Sequence, residues 1–332
     1  MKQALIIALF AAFTALLPLF IGEENPYIIG IMISVLMMAA LSSAWNIIGG
    51  FAGQFSFGHA AYFGAGAYTT LILIYSFELN PLIGAAAGMV VAALIALITG
   101  SIVFGLRGHY FALASIAVAE IIRLSVLNFE FTGGAQGILL ANVTLWGLDL
   151  NSKTPFYYGM LLLLVVTLTV TEYLRKSKTG YYLQAIREDQ DAASSLGINL
   201  ALYKNRALLI SALLTSVAGS LYALYIRFID TSAVLDLRLS IEIILTAIIG
   251  GVGTLWGPVL GALLLVPLAE ALRSNMIGDA LVKLGLVSET SSVGIFLNDN
   301  LAHAHVLVYG IITVLCILYL PKGILGLFRR VK

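Results

Sequence analysis

Runs of about twenty consecutive apolar residues constrain this chain more than any other feature. In water such runs demand a core. In a bilayer each is long enough to cross the hydrocarbon layer as one helix. They fall at Ala4–Ile21, Tyr27–Ile48, Ala60–Phe77, Pro81–Leu106, Tyr110–Leu127, Phe156–Leu174, Ala207–Phe228, Leu239–Ile249, Leu255–Leu272 and Val306–Leu320. Leu239–Ile249 is too short to span alone. Only 11% of the 332 residues are charged, against 60% hydrophobic, too few to cover a soluble protein of this length. The expectation is an all-α polytopic membrane protein with about ten transmembrane helices, some broken at Gly-rich segments. It forms one transmembrane domain over residues 1–332.

With ten spans both termini share a side, and the positive-inside rule selects it. A cytoplasmic N-terminus places Lys2, Arg107, the basic residues of Arg175–Arg206 and those of Lys322–Lys332 inside. Lys153, Arg227, Arg238, Arg273 and Lys283 remain outside. Both termini are therefore expected in the cytoplasm. Met1–Phe20 also has the outline of a signal peptide, but no clear small-x-small site precedes Glu23.

Several chemistries are excluded or disfavoured. A net charge of +1 gives no basic field for nucleic acid. The single cysteine, Cys316, lies in an apolar run and allows neither a disulfide framework nor a cysteine metal site. His303 and His305 lack the i, i+4 spacing of a helical zinc pair, so no metal site is expected. Ser56 and His59 have the spacing of a nucleophile and base but no visible third group, so packing or pathway roles outweigh catalysis.

Three Gly-rich stretches interrupt the apolar pattern: Gly49–Gly66, Thr132–Gly137 and Gly250–Gly257. Irregular backbone survives at membrane depth only inside protein or beside a water-filled cavity, and broken helices often line transport sites. Gly53, Gly58, Gly133, Gly134, Gly250, Gly251, Gly253 and Gly257 are the structural glycines of these stretches. Close helix packing is the simpler account of any one of them. Gln54, Ser56 and His59 make the first stretch a candidate pathway element. Ile47–Gly50 and Ile248–Gly251 both read IIGG, a hint of duplication. Glu120 and Arg123 share a helix face and can neutralise one another; Glu242 shows no evident partner. All three join the pathway candidates.

The loop Arg175–Arg206 carries a helix expected over Tyr181–Leu196, bounded by Gly180 and Gly197, with Tyr182, Ile186, Ala193 and Leu196 on its apolar face. Arg187, Asp191 and Ser194 point elsewhere. Such a helix between two membrane spans suits docking onto a cytoplasmic partner or lying as a solvated loop helix at the lipid interface.

Five blocks carry a family resemblance: GQFSFGHAAYFGAGAY (Gly53–Tyr68), RGHYFALASIAVAEIIR (Arg107–Arg123), TGGAQGI (Thr132–Ile138), SKTGYYLQAIREDQDAASSLGIN (Ser177–Asn199) and GGVGTLWGPVLGA (Gly250–Ala262). In these the chain resembles LivM-type permease subunits of branched-chain amino acid ABC importers, a family that includes urea-importer permeases. One departure is Gly180-Tyr181-Tyr182, where the family commonly has G-R-A/S. The resemblance implies translocation of Leu, Ile and Val across a bacterial inner membrane. It implies a second, homologous permease as a heterodimer partner, two cytoplasmic ABC ATPases using ATP and Mg, and a periplasmic or surface binding protein. Gly180, Ile186, Arg187, Glu188, Asp189, Ala193 and Gly197 would then belong to the ATPase-coupling loop. The outer segments Glu130–Thr154 and Arg273–Ala302, with Ala280–Val287, would meet the binding protein. The chain has no G-x-x-x-x-G-K-[ST] phosphate loop, so no ATPase site or resident cofactor is expected in it. Urea, amides and other amino acids stay open as substrates. An ion-driven carrier working through Glu120, Arg123 and Glu242 stays open as well, as does a passive small-solute channel.

Overall fold

A computed structural model of the chain describes residues 2–21, 25–106, 108–140, 144–145, 148–149 and 152–274, and near the C-terminus 310–311, 314–315, 318–319 and 323–329. Arg107, Cys316, His303, His305, Ala280–Val287 and most of the tenth apolar run lie outside the described residues. The long helices are α1 (Lys2–Ile21), α2 (Pro26–Asn46), α3 (His59–Phe77), α4 (Pro81–Val103), α5 (His109–Asn128), α6 (Thr154–Lys176) and α9 (Leu200–Ile226). Each contains a span long and apolar enough to cross a membrane, giving seven among the described residues. Two short helices, α7 (Lys178–Glu188) and α8 (Gln190–Ser195), join α6 to α9. The one-turn α10 (Thr231–Val234) leads into α11 (Leu237–Gly250) and α12 (Gly257–Arg273), and α13 (Ile324–Arg329) follows.

Local chemistry sets the helix ends. Prolines occupy the first turn of α2, α4, α6 and α12, where the missing N–H costs nothing. Asn80 caps α4 by accepting from Leu82 N–H, Asn199 caps α9 by accepting from Leu202 N–H, and Asp236 caps α11 by accepting from Arg238 N–H. The apolar pattern places α9 from Ala207, but the helix starts at Leu200. Hydropathy marks where a helix enters lipid, while the Asn199 cap marks where it begins.

The core has two centres. One gathers α2, α3, α6 and the inner faces of α9, α11 and α12 around Trp45, Tyr157, Met160 and Leu164. The other joins α3, α4 and the first turns of α9 around Tyr62, Ala96 and Leu208. α3 and α9 touch backbone to side-chain position: a Cβ on Gly219 would lie 1.9 Å from the carbonyl oxygen of Phe63. That contact replaces side-chain interdigitation with close van der Waals packing, the usual glue of helices that lipid does not drive together. α5 sits at the edge. Phe111, Ser115 and Ala119 face inward, while Tyr110, Leu113 and Ile121 are exposed.

The Thr132–Gly137 stretch does not break a helix. It forms two 3₁₀ turns after α5 and delivers β1 (Ile138–Leu139) to an antiparallel pairing with β4 (Phe228–Ile229). β2 (Thr144–Leu145) and β3 (Leu148–Asp149) form a small hairpin.

Candidate functional site

The two remaining Gly-rich stretches meet. α2 loosens into a π-helical turn at Ile47–Phe51, and the chain then runs without regular secondary structure until α3 begins at His59. α11 ends at Gly250, and a tight turn leads into α12. Asn46 ties the two breaks together: its Nδ2 donates to Thr254 O at 2.8 Å and its Oδ1 accepts from Gly253 N–H at 2.8 Å. A Cβ on Gly50 would come within 2.7 Å of Gly253 N. Gly251 and Gly257 shape the turn, and Gly323, ahead of α13, packs against Gly250 and Gly251. Asn46 escapes notice in the sequence, although a polar residue directly before IIGG at the end of an apolar run is a usable signal.

The α7–α8 hairpin locks onto this junction. Arg187 Nη1 donates to Gly50 O at 2.6 Å, its Cγ packs on Gly53, and its guanidinium fills the place a side chain at Gly253 would take. Gly253 has φ +75°, so a side chain there would be strained as well as obstructed. Just past its central break the hairpin is also held by Lys204, almost wholly buried, whose Nζ donates to Gln190 Oε1 at 2.9 Å and lies over the Phe104 ring. Glu172, at the end of α6, bridges Arg175 at 2.8 Å and Lys176 at 2.7 Å.

The hairpin differs from the single helix expected over Tyr181–Leu196. It starts at Lys178, capped by Ser177, and Gly180 lies inside it, pressed on the carbonyls of Leu174 and Arg175. It breaks at Asp189, whose Oδ1 accepts from Asp191 N–H and Ala192 N–H and so starts α8. An Asp that can cap competes with helix continuation, which the propensity sum over the segment conceals. The buried face is Gly180, Leu183, Ile186 and Ala193; Leu183 replaces the expected Leu196, which is 82% exposed. Arg187 turns inward to the junction rather than away from the membrane body. Glu188 and Tyr181 remain on the exposed surface, and Gly197 ends α8 with φ +83°.

The first break is polar and enclosed. Gln54, Ser56 and His59 are buried. Gln54 N–H donates to Ile48 O, closing the turn, and Trp45 Nε1 donates to Ser56 O at 2.8 Å. Gly58 N–H meets Ser56 Oγ, and Phe57 N–H meets Ser115 Oγ on α5. The His59 ring pairs with the hydroxyl of Ser211 on α9, not with the hydroxyl of Ser56. Ser211 Oγ donates to Ala44 O at 2.7 Å, so it must accept from His59 Nε2–H, also at 2.7 Å. The Ser56–His59 pairing needed for a nucleophile and base is therefore absent, and His59 acts as a cross-link among α2, α3 and α9.

The three remaining pathway candidates sit elsewhere. Arg123 and Glu120 form the expected ion pair on α5, with Nε–Oε2 at 2.8 Å. Asp236, at the start of α11, lies within electrostatic reach of Arg123. Glu242 does have a partner close in sequence: Arg238, one helical turn earlier, at 3.1 Å. That i, i+4 spacing is legible in the sequence, and the expectation of an unpaired Glu242 is corrected.

A family profile described as the permease component of branched-chain amino acid transport systems matches residues 25–317. The LivM permease protein of a high-affinity branched-chain amino acid transport system from Salmonella typhimurium is 30% identical over 258 residues, 69% of this chain. The Escherichia coli LivM protein matches with the same identity and coverage. The chain spans 59% of the length of each. BraD, a permease protein of a high-affinity branched-chain amino acid transport system of Pseudomonas aeruginosa, is 24% identical over 87% of this chain and 91% of its own length.

Proposed function

The chain belongs to the family of permease components of branched-chain amino acid transport systems, and from that premise we propose that it is the membrane-spanning subunit of an ATP-driven importer for Leu, Ile and Val. The observation that carries this reading is the α7–α8 hairpin. Its inner face is keyed through Arg187 into two helix breaks, while Tyr181 and Leu196 stand exposed on its outer face. Exposed apolar side chains beside Glu188 and Asp191 suit a protein partner, and a keyed hairpin passes that partner's movement to the breaks.

On this reading the seven described spans and the shorter α11, α12 and Val306–Leu320 segments make up about ten membrane elements in a bacterial inner membrane, with both termini cytoplasmic. Ser177–Asn199 docks on one of two cytoplasmic ATPases, which use ATP and Mg. A second, homologous permease completes a heterodimer, and an external binding protein delivers the substrate. Gln54, Ser56, His59, Glu120, Arg123 and Glu242 are the proposed pathway residues. Arg187 is the link between hairpin and pathway, and Gly180, Ile186 and Ala193 seat the hairpin behind it.

The test is uptake into proteoliposomes of this chain with the permease, ATPase and binding protein encoded beside it. ATP-dependent accumulation of L-leucine, with urea not accumulated, is the expected result. Uptake by the chain alone without ATP would replace the importer reading with an ion-driven carrier or a channel.

A further inference from the structure

α11 is a half-helix. Its 14 residues rise about 21 Å, short of the roughly 30 Å hydrocarbon layer. Its C-terminal end is fixed beside Gly50 and Arg187, at the hairpin end of the bundle. Its first residues therefore lie within the membrane thickness, well short of the opposite face. The chain reaches that point by turning back: α9 ends at Ile226, β4 pairs with β1, and Leu235 then packs into the notch that Gly64 leaves on α3. A chain that re-enters and restarts as a helix at mid-depth is tolerated only inside protein or beside a water-filled cavity.

A cavity is present there, of about 510 Å³. Its walls are of two kinds. Met37 and Met38 of α2 and Phe63 of α3 supply an apolar side, and Asp236, Arg238 and Glu242 of α11 supply a charged one. The volume falls within the range of small-molecule sites. The charges alternate in sign along the chain Asp236, Arg238, Glu242, and the series extends to Arg123 and Glu120 on α5 through Asp236. Their mutual bonds leave capacity to spare. Arg238 commits Nε to Glu242 Oε1, and Asp236 commits Oδ1 to the Arg238 N–H. Among the described residues the two Nη groups of Arg238, Oε2 of Glu242 and Oδ2 of Asp236 have no hydrogen-bond partner. A guanidinium with both Nη groups open is built for a carboxylate, and open carboxylate oxygens suit an ammonium.

We infer that this cavity is a binding site for a zwitterionic amino acid with an aliphatic side chain. Arg238 takes the α-carboxylate, Glu242 and Asp236 take the α-ammonium, and Met37, Met38 and Phe63 enclose the side chain. Methionine suits the last role because its flexible thioether adapts to Leu, Ile and Val alike. The inference rests on the importer reading for its choice of substrate, but it adds what that reading lacks: a place where the substrate pauses, and its contacts. Glu242 becomes a specificity residue, while Glu120 and Arg123 become the next charges along the route.

The test uses chemical protection, which needs no transport. In a Cys316→Ser background, Met37→Cys is placed in the cavity wall, in membranes carrying the full chain with its co-encoded subunits. Modification by a small methanethiosulfonate reagent is followed with and without added ligand, and Tyr75→Cys, at the exposed end of α3, is the control. L-leucine is expected to slow modification of Met37→Cys and leave the control unchanged. Isovalerate, lacking the ammonium, and isopentylamine, lacking the carboxylate, are expected to protect far less. Arg238→Gln and Glu242→Gln should each raise the leucine concentration for half-protection by about tenfold. Asp236→Asn, which keeps the helix cap, should raise it to a smaller extent. No protection by leucine, or equal protection by either half-analogue, overturns the site; the ligand comparison on Met37→Cys decides even if a charge variant fails to insert. Protection without ATP-driven uptake would instead reject the importer reading and keep the site.

Discussion

Replacing Arg187 should disconnect ATP hydrolysis from solute movement without dismantling the protein. Arg187 makes one charged hydrogen bond, 2.6 Å to Gly50 O, across the interface between the hairpin and the two breaks. Bonds of this kind contribute about 1.5–3 kcal/mol when protected from water. The side chain lies at the solvent-facing end of the bundle, which brings the contribution down to about 1 kcal/mol. That shifts the locked-to-released balance of the joint by about fivefold. The assay is leucine accumulated per ATP hydrolysed, with both measured on the same proteoliposomes. Arg187→Ala is expected to lower that ratio about fivefold while hydrolysis continues. Arg187→Lys, which keeps a charge and a donor but loses the planar fork, should fall between. Gly253→Ala attacks the same contact from the other side, because its Cβ would sit 2.3 Å from Arg187 Nη1. Combining it with Arg187→Ala should therefore lose less than the sum of the two, since the Arg187 contact is shared and only the backbone strain at Gly253 adds. Uptake and hydrolysis falling in parallel would refute the joint and assign Arg187 to the docking surface. Fully additive losses would refute the shared contact.

Three further outcomes follow from contacts within and between the helices. Gly219→Ala should cut the folded, membrane-inserted yield sharply, by a cost of about 1–3 kcal/mol, because the added methyl meets the Phe63 carbonyl at 1.9 Å on a helix that cannot retreat alone; thermal inactivation in detergent measures it. Ser211→Ala should lower the same stability by about 1–3 kcal/mol, since His59 Nε2–H and Ala44 O lose their common partner inside the bundle; Ser211→Thr, which keeps the hydroxyl, should recover most of it. Glu120→Gln should reduce leucine uptake more than inserted yield, as quantitative immunoblotting against uptake rate would show; equal losses would make the Glu120–Arg123 pair a structural tie.

The apolar runs located the long helices because a bilayer leaves a helix little freedom about where its apolar stretch must lie. Residues whose role depends on distant partners were harder to read. Arg187 looks like one more charge on a solvated loop until the fold brings Gly50, 137 positions away, against it. The Asp189 cap hides in a segment of high helix propensity, and the α8 that starts from it leaves Leu196 exposed. Ser211 and Lys204 are polar residues whose burial no local pattern announces, because their partners come from other helices. Arg238 and Glu242 are a different case: a spacing of four within one apolar helix carries their pairing openly, and a search for partners along the same helix finds it.

α11 gives the two halves of this reading a mechanical connection. It runs without interruption from Asp236 at the charged cavity to Gly250 at the Arg187 joint. A continuous helix moves as a rod, so a displacement at Gly250 must carry Arg238 and Glu242 with it or else bend hydrogen bonds along the way. Two side bonds hold the rod to its neighbours: Ser42 Oγ donates to Ile243 O, and Ser240 Oγ accepts from Ala60 N–H. Ser240 sits inside the charged turn and Ile243 directly follows Glu242, and both bonds reach the elements that flank the first break, α2 and α3. The rod is thus pinned near its charged end and packed at its other end against α12 and the Arg187 joint, so a shift transmitted through that joint favours a tilt over a slide. A tilt about Ser240–Ile243 moves Arg238 opposite to the Gly250 end while Glu242, between the two pins, stays near its place, so hairpin movement shifts Arg238 relative to Glu242 in the cavity wall.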